Sequence, residues 1–422
     1  MLRRAPRSDP KVFSSNNFYN SLVNGRPITR SRHPMKIAFW STSYFRGFGG
    51  AEKIVNDMLH SLNPAEFKLF LITERIDKGQ VNNHFFRPLP AAVEIYQNTF
   101  TNPLLALHHP LLFLIRLLKY LKAALQLGLF FWSKRIDVIH LHMVNIDVLL
   151  LILYKYLFRY RLVITFTGME ILLADAGVLS KWKMKAALHH ADRVTTVSRD
   201  IGRQLAQKFN YPNSHYIRNG IDIKAIETIA GQPSADVEAG SFIFCGRLHP
   251  VKRITFLIDA YHDCIKAGCG NKLYIIGDGE EREKARERIE AYGIADRVIL
   301  TGARDHQATM RMMAGGGCLL LSSSSEGNPV VILEAMALGL PVIAPDVGGI
   351  GEMVLNDVNG FLYPANNQSQ FREYILKLAR NPALAQQMGR NAREAVLQNF
   401  SHRHMMDQYV DIYRSLADVG QI

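Results

Sequence analysis

The chain has 422 residues, 48% hydrophobic and 21% charged, and this length and balance suit two domains, each with a core of its own. They exclude a small disulfide-stapled module and an intrinsically disordered chain. The formal net charge of +13 leaves three kinds of partner open, namely nucleic acid, a membrane surface and an anionic substrate.

The cysteines and the N-terminal segment predict a cytoplasmic location. All four cysteines lie in the second half, and no pair has the two-residue spacing of a zinc knuckle or a redox dithiol, so we expect a reducing cytosol. Residues 1–34 carry seven basic residues and one acid, and they lack the continuous apolar segment of a secretory signal. We predict that they form a disordered basic arm.

The first predicted domain covers residues 35–229. It opens with a buried strand at 36–41, a glycine-rich turn at 47–50 and a helix at 51–62, and this β-loop-α unit begins a doubly wound domain. Further strands, with helices between several of them, are predicted at 67–73, 138–142, 162–166, 193–197 and 215–218. The polar segment 230–240, rich in Gly, Ser and Ala, is the predicted linker.

The second predicted domain, residues 241–395, alternates strands and helices throughout. Strands are predicted at 242–245, 273–276, 298–301, 318–321 and 341–344, and helices at 253–267, 280–291, 306–313 and 329–338. The fold class is therefore α/β, with two doubly wound parallel-sheet domains that face each other across a cleft. Residues 396–422 are predicted to form a C-terminal helix that packs back on the first domain.

Two cations follow the first strand of the second domain. Ligands of doubly wound sheets lie outside the carboxyl ends of the strands, and strand 242–245 ends in Gly246 and Arg247, with Lys252 at the start of the next helix. Two fixed positive charges beside a helix N-terminus suit a pyrophosphate. The alternative is a solvated surface.

The next strand of this domain ends in a tight turn, Gly277-Asp278-Gly279. Glycines at such a place let a flat ring or a backbone approach closely. By itself, the pattern indicates only a good turn.

Two glutamates flank the start of an apolar helix near residue 329. Glu326 precedes the helix, near free amide groups, and Glu334 lies inside it on a face that its neighbours predict to be covered. A buried carboxylate is costly unless it is hydrogen-bonded, and vicinal sugar hydroxyls would satisfy both oxygens of Glu334. The alternative is a helix-capping acid and a structural buried glutamate.

The run Glu326-x7-Glu334, followed by Ala-Met-Ala-x-Gly-x-Pro-Val-Ile-Ala, resembles the retaining glycosyltransferases of family 4, also called glycosyl transferases group 1. The segments Gly246-Arg247-Leu248 with Lys252, Gly277-Asp278-Gly279 and Gly49-Gly50-Ala51-Glu52 are similar to the same family. The resemblance covers residues 35 to the C-terminus and implies the GT-B architecture, which consists of two Rossmann-like domains.

The resemblance also implies roles for these residues. Arg247 and Lys252 would hold the diphosphate of a sugar donor and stabilise the charge that develops as the nucleotide leaves. Glu326 would hold hydroxyls of the donor sugar, and Glu334 would hold the ribose. The predicted catalytic residues are Arg247, Lys252 and Glu326. The predicted donor-binding residues are Gly49, Gly50, Thr167, Gly168, Gly246, Gly277, Gly279, Gly327, Asn328, Pro329, Val330, Val331 and Glu334.

Some positions match the family only in part. Thr167 stands where the family often has a histidine before the glycine. Arg253 follows Lys252 where the family favours glycine, so it is either an added phosphate contact or a surface charge. The turn Asn219-Gly220-Ile221-Asp222 is similar to a family turn, although ordinary Asn-Gly turns look the same.

The predicted reaction needs neither a metal nor a cofactor. The sequence contains no Asp-x-Asp element at a strand end and no cluster of ligands with metal spacing, and the two cations would neutralise a UDP- or GDP-sugar donor. Retention by same-face attack, with a donor phosphate oxygen receiving the proton of the acceptor, is what the resemblance implies. Two alternatives are a nucleotide-sugar epimerase and a non-catalytic partner in a glycosyltransferase complex.

The acceptor side is basic and apolar. Residues 95–136 contain no acid, and in 111–132 the polar positions 116, 119, 122 and 126 recur every three or four residues. We predict a helix that lies on an anionic membrane, with the protein peripheral on its cytosolic face and a lipid-linked or oligosaccharide acceptor. The alternative is a core helix. Nucleic acid is not a predicted partner, because no DNA- or RNA-reading motif is present.

Overall fold

The computed structural model describes residues 33–41, 49–74, 88–98, 108–142, 144, 148–174 and 177–417. These residues form two parallel β-sheets with helices on both faces, which confirms the predicted α/β fold with two doubly wound domains. Most of the predicted basic arm, residues 1–32, lies outside the described residues.

The strands of the first sheet follow the order β3-β2-β1-β4-β5-β6-β7 in space, and all neighbours are parallel. They are β1 (Met35–Trp40), β2 (Phe67–Glu74), β3 (Glu94–Asn98), β4 (Val138–His142), β5 (Arg161–Phe166), β6 (Arg193–Thr196) and β7 (His215–Tyr216). The order reverses between β1 and β4, and doubly wound sheets bind their ligands at such a switch point.

The second sheet repeats this plan in the order β10-β9-β8-β11-β12-β13. Its strands are β8 (Phe242–Cys245), β9 (Leu273–Ile276), β10 (Val298–Gly302), β11 (Cys318–Leu320), β12 (Val342–Pro345) and β13 (Gly360–Tyr363). The switch point lies between β8 and β11. The cations and the glutamates singled out above follow these two strands.

Most of the helices lie between successive strands, and the last three follow the final strand, β13. In the first domain they are α1 (Gly50–Ser61), α2 (Pro110–Lys134), α3 (Val148–Phe158), α4 (Met169–Ala174), α5 (Val178–His190) and α6 (Arg199–Phe209). They continue with α7 (Ile223–Ala230), α8 (Ile254–Lys266), α9 (Arg282–Tyr292), α10 (His306–Gly315), α11 (Val330–Ala337), α12 (Gln368–Arg380), α13 (Pro382–Asn399) and α14 (His402–Ala417).

The two faces of the first sheet build separate cores, because successive side chains of a strand point to opposite faces. Ile37 and Phe39 of β1 point into a core that continues into the second domain. Ala38 and Trp40 point the other way, into a core that α2, α3 and α5 cover.

The chain crosses between the domains earlier than predicted. Helix α7 packs against α10 and α11 of the second domain, so the crossing lies between β7 and α7 rather than in the predicted linker 230–240. A second crossing joins α13 to α14. The two crossings are hydrogen-bonded to each other, because Ile221 N–H donates to the Phe400 carbonyl at 2.9 Å and His402 N–H donates to the Ile221 carbonyl at 3.2 Å.

The last helix, α14, returns to the first domain. The Tyr413 hydroxyl lies 2.7 Å from Nδ1 of His140 on β4, and the Arg414 guanidinium pairs with Glu66 at 2.7 Å. Residues 396–399, which the prediction gave to this C-terminal helix, form the end of α13 instead.

Helix α2 is buried along one narrow side only. Its buried residues all lie in its C-terminal half, and they are Ala123, Ala124, Leu127, Gly128 and Phe131. The other sides carry exposed leucines, so α2 is not the interior helix of the alternative interpretation. Within the parts of the chain that the structure describes, no helix combines the length and the apolar character that crossing a membrane requires.

Candidate active site

A cleft of about 660 Å³ lies where the carboxyl ends of the two sheets meet. Every predicted site residue lines it except Gly277 and Gly279. The residues come from the loops after β1, β5, β8 and β11 and from the helices α1 and α11 that follow two of these loops. The structure therefore brings together side chains that are up to 285 positions apart, since Gly49 and Glu334 share one cavity.

Lys252 and Glu326 form the charged centre of the cleft. Lys252 ends a short 3₁₀ turn, Pro250–Lys252, and its Nζ lies 2.5 Å from Oε1 of Glu326. The Ser323 hydroxyl donates to the same carboxylate oxygen at 2.6 Å. This pairing fixes both functional groups before any ligand binds.

Arg247 is exposed in the cleft, directly after β8. Its guanidinium makes no hydrogen bond or ion pair with the residues that the structure describes. Five N–H donors in a planar fork are thus open to a ligand, and this geometry matches phosphate oxygens.

Arg253, in contrast, faces away from the cleft. Its guanidinium donates to the carbonyl of Ala365 at 2.6 Å and lies over the Phe256 ring, 4.3 Å from the centroid. Of the two interpretations of Arg253, the structure supports a structural cation rather than a phosphate contact.

Glu334 is buried on α11, and its carboxylate is contacted by one hydrogen-bond donor and one lysine. His306, the first residue of α10, donates from Nε2 to Oε1 of Glu334 at 2.9 Å, and Lys53 of α1 lies 3.7 Å from the same oxygen. Burial raises the pKa of Glu334, but the hydrogen bond from His306 and the charge of Lys53 outweigh burial and bring the pKa below its ordinary value. The carboxylate is therefore ionised.

The thiol of Cys245, at the end of β8, responds to both charged centres of the cleft. Burial and, to a smaller extent, the charge of Glu334 raise its pKa to about 12, while the charge of Lys252 acts in the opposite direction. Cys245, Lys252 and Glu334 line the same cavity, so the first charged centre and the second glutamate share one cleft.

Asn328 presents a buried amide that the protein does not satisfy. The side chain is 6% exposed and lines the cleft, and neither its oxygen nor its nitrogen has a hydrogen-bond partner among the described residues. An orphaned buried amide costs free energy, so it indicates a place where ligand hydroxyls complete the hydrogen bonds.

The backbones of the two domains touch at the centre of the cleft. A Cβ at Gly327 would lie 1.7 Å from the carbonyl oxygen of Thr167, and a Cβ at Gly168 would lie 3.2 Å from the Cα of Gly327. Nearby, the Asn219 amide donates to the Asn328 carbonyl at 3.0 Å. The described conformation is thus a closed one.

Gly277 and Gly279 lie outside the lining of the cleft, and their contact with the donor stays a prediction. A Cβ at Gly277 would lie 1.9 Å from the carbonyl oxygen of Gly246, and one at Gly279 would lie 2.5 Å from that of Leu248. The close approach that these glycines permit is therefore to the loop after β8. They position that loop from behind and do not line the cleft.

Two family models match the chain in succession. The model described as Glycosyltransferase Family 4 matches residues 48–225, and the model described as Glycosyl transferases group 1 matches residues 226–395. The chain belongs to glycosyltransferase family 4.

Related proteins and solved structures of other proteins agree with this assignment. An uncharacterized glycosyltransferase of Methanocaldococcus jannaschii is 28% identical over 286 residues, which are 68% of this chain and 77% of the relative. Sucrose-phosphate synthase of Thermosynechococcus elongatus superimposes with a TM-score of 0.74 at 20% identity, over 92% of this chain and all of the other. Anabaena HepE, in complex with UDP-glucose, gives 0.70 at 20% identity, over 90% of this chain and all of the other. The predicted GT-B fold is confirmed.

Sequence reasoning missed two donors at the Glu334 carboxylate of this glycosyltransferase, Lys53 and His306. Lys53 directly follows the quoted segment Gly49-Gly50-Ala51-Glu52, and His306 begins the helix after β10. The rule that ligands sit beyond the carboxyl ends of strands could have identified both positions.

Two buried groups of the first domain were also missed. Glu170 accepts hydrogen bonds from Gly168 N–H at 2.9 Å and from the Thr167 hydroxyl at 3.1 Å, and it closes the turn after β5. Burial raises the pKa of Glu170 despite these bonds. His142, which lines the cleft at the end of β4, has no described partner for Nε2, and burial lowers its pKa to about 3, so its ring is neutral.

No group of three or more His, Cys, Asp or Glu side chains within the described ranges could hold a metal ion.

Gly327→Ala is expected to lower kcat/KM for sugar transfer by about 10²-fold, because the added methyl group would collide with Thr167 and keep the two domains apart. The second domain should still fold, since the collision is with the backbone of the first. Steady-state kinetics and thermal unfolding would check both points. Gly270→Ala is the matched control, because nothing lies within 4 Å of its Cβ position. Unchanged kinetics of Gly327→Ala would show that turnover does not need this approach.

Proposed function

We propose that this protein transfers a sugar from a UDP- or GDP-sugar to a hydroxyl of a lipid-linked acceptor, with retention of configuration and without a metal ion. The observation that carries the proposal is the composition of the cleft. Cations with open donor sites stand beside an orphaned amide and two ionisable carboxylates, so one end suits a diphosphate and the other suits hydroxyl groups.

The diphosphate would bind to Arg247 and Lys252. An ammonium group has three N–H donors, and Lys252 gives one of them to Glu326. Its other donors and the guanidinium of Arg247 would bind the phosphate oxygens and stabilise the negative charge that grows on the leaving nucleotide. The fact that HepE was solved with UDP-glucose supports a nucleotide sugar as the donor.

The hydroxyl groups of the donor would bind to the carboxylates and the amide. Glu326 and Asn328, which flank Gly327, would hold the sugar, because both lie in the loop between β11 and α11. Glu334 would hold the ribose and exchange the distant contact with Lys53 for a hydroxyl group. Its ionised state strengthens such hydrogen bonds, since charged acceptors bind more tightly than neutral ones.

In the reaction, the bond between the anomeric carbon and the phosphate oxygen breaks, and a bond from the acceptor oxygen to the same carbon forms on the same face. The acceptor proton passes to the departing phosphate oxygen, so no protein base is required. Arg247 and Lys252 lower the barrier by stabilising the nucleotide diphosphate, and the closed domains exclude water.

The donor test is a comparison of nucleotides by thermal unfolding. A ligand present at about 100 times its Kd stabilises the native state by about 2.7 kcal/mol, which raises Tm by several degrees. UDP or GDP should raise Tm more than the corresponding monophosphate, because only the diphosphate engages both cations. If no nucleoside diphosphate or nucleotide sugar raised Tm, the donor proposal would be wrong. Product analysis with and without an acceptor separates transfer from epimerisation.

Removal of divalent metal is expected to leave turnover unchanged. Excess EDTA should not slow the release of UDP or GDP. Arg247 and Lys252 supply the positive charge that a metal ion supplies in metal-dependent enzymes. The measurement is a rate of nucleotide release with EDTA, compared with the rate after adding Mg²⁺ or Mn²⁺. A loss that either ion restores would contradict metal independence.

The lipid-linked acceptor is proposed from helix α2. Its exposed side carries Leu114, Leu118, Leu121 and Leu125 at three- and four-residue spacing, with Lys122 at the edge. An apolar stripe with basic neighbours suits the interface of an anionic membrane. The protein would then work at the cytosolic face of a membrane and receive its acceptor from there.

A further inference from the structure

Four helices of the first domain have their outward sides on one face of the molecule. Leu127 of α2, Leu151 of α3, Ile171 of α4 and Met184 of α5 all point into the same core, on one face of the first sheet. The opposite sides of these helices therefore look in a common direction, away from the sheet.

This outward surface is strongly apolar. Of the twenty large hydrophobic side chains that are exposed in the described parts of the chain, sixteen lie on these four helices. We call them the outer apolar face, and they are Leu111, Leu112, Leu114, Ile115, Leu118, Leu121, Leu125, Leu129, Trp132, Leu153, Tyr156, Leu157, Leu173, Val178, Leu179 and Trp182. Such a concentration on one side marks an interaction surface, whereas scattered exposed residues do not.

Helix α5 contributes a part of this face that the sequence did not indicate. Val178 is 87% exposed and Trp182 55%, and both lie opposite the buried residues Met184 and Ala187. A tryptophan held outward beside lysines is typical of residues that anchor a protein at the membrane interface.

The charge of this surface selects its partner. Helices α2, α3 and α5 contain eight lysines and arginines and not one aspartate or glutamate, and of these cations Lys134 pairs with Glu94 and Lys155 with Asp192 of neighbouring elements. Three of these lysines are on α5, namely Lys181, Lys183 and Lys185. If a second copy of the chain docked on this face through the same face, like charges would come together. Anionic lipid headgroups, in contrast, would attract these helices.

The outer apolar face reaches the catalytic cleft. Leu173 on α4 is 56% exposed and also lines the cleft. Helix α4 begins at Met169, directly after the Thr167-Gly168 turn that touches Gly327 of the second domain. Because α4 packs against α5, Leu173 links the helix next to α5 with the mouth of the cleft.

We propose that α5 and Leu173 form a second membrane contact, which places the mouth of the cleft at the surface of an anionic bilayer. This proposal rests on the proposed lipid-linked acceptor. Helix α2 alone would attach the protein and leave it free to rotate about the helix axis. With α5 as a second line of contact, the orientation is fixed, and a lipid-linked hydroxyl can enter past Leu173 without leaving the bilayer.

The tryptophans of the chain allow a direct test, because there are three of them. Trp132 lies on α2, Trp182 lies on α5, and Trp40 is buried at 1% exposure. In the full-length Trp132→Phe variant, fluorescence that a lipid can quench comes from Trp182, and in Trp182→Phe it comes from Trp132. Each variant is mixed with vesicles of phosphatidylcholine, with and without phosphatidylglycerol, that carry bromine in the acyl chains.

We expect both variants to be quenched by the phosphatidylglycerol vesicles. Val178→Ser in the Trp132→Phe background should weaken binding about tenfold, because it removes apolar area from the contact. Leu397→Ser is the matched control, since Leu397 is an exposed leucine on α13 of the second domain, and its binding should stay unchanged.

Two results would overturn the proposal. Quenching of Trp132 without quenching of Trp182 would leave α2 as the only membrane contact. An absence of quenching in both variants, with elution as a dimer, would assign the outer apolar face to a second copy. Donor hydrolysis in the absence of vesicles is measured separately, so a failure of the proposed sugar transfer is distinguished from a failure of the membrane contact.

Discussion

Lys252→Ala is expected to lower kcat for sugar transfer by about 10²- to 10³-fold while the protein stays folded. The variant removes the cation that is fixed against Glu326 at 2.5 Å, and with it the charge available to the departing nucleotide. The effect should fall on kcat more than on KM, because the negative charge of the leaving group grows in the transition state. Release of UDP or GDP under saturating donor measures it.

The loss of Lys252 also leaves a nearly buried carboxylate with Ser323 as its remaining described partner. Lys252→Gln keeps a hydrogen-bond donor beside Glu326 and removes the charge. This variant should unfold at the wild-type temperature and still be slow. Near-normal turnover of either folded variant would refute the role of Lys252.

The adjacent cation provides the matched control. Arg253→Asn removes a charge one position away, but Arg253 faces Ala365 and Phe256 rather than the cleft. Its backbone is left-handed, with a φ of 52°, and asparagine tolerates this conformation. Turnover should stay near the wild-type rate.

Glu334→Ala is expected to lower kcat/KM for the donor by about 10²-fold, because the variant loses two charge-assisted hydrogen bonds to the ribose, each worth roughly 1.5–3 kcal/mol in general. The fold should not lose stability in proportion. A buried carboxylate is desolvated, so its removal offsets part of what the contacts with His306 and Lys53 contribute. Donor kinetics together with thermal unfolding give this pair of results.

Glu334→Gln separates charge from shape at this position. It keeps the size of the side chain and one acceptor oxygen, so about a tenfold loss is expected instead of 10²-fold. A Glu334→Ala protein with the wild-type KM for its donor would show that this carboxylate does not bind the ribose.

Much of the second domain could be predicted, because its strands are short, apolar and punctuated by glycine. Strands β8 and β9 have the predicted bounds, and the loop after β11 holds Glu326 where the sequence indicated. Strand β3, in contrast, was not predicted. It is an edge strand with the polar sequence EIYQN, and an edge needs fewer apolar side chains than a central strand.

The position of the linker was predicted too late in the chain for a different reason. Its composition is polar, but polarity reports exposure to solvent and does not report where the chain changes domain. The amphipathic helix α7 before it carries Ile226 into the core of the second domain, and that tertiary contact decides the boundary.

Contacts across the cleft were the least predictable part of the site. Lys53 and Glu334 are 281 positions apart, and spacing along one chain does not show which loops of two domains meet. The glycines at 277 and 279 illustrate the same point. The sequence indicates that something approaches them, and only the structure identifies it as the loop after β8.

The two hydrogen-bonded crossings also constrain how the molecule can move. Ile221 is hydrogen-bonded to both Phe400 and His402, so the two connections between the domains lie side by side. They can therefore act as a single hinge. An opening along that swing would move Lys53 of the first domain away from Glu334 of the second, whereas His306 would stay with Glu334 because both belong to the second domain. Opening would thereby expose one side of the Glu334 carboxylate to a hydroxyl of an arriving donor. On closing, Lys53 would return to Glu334 only if no hydroxyl had taken its position.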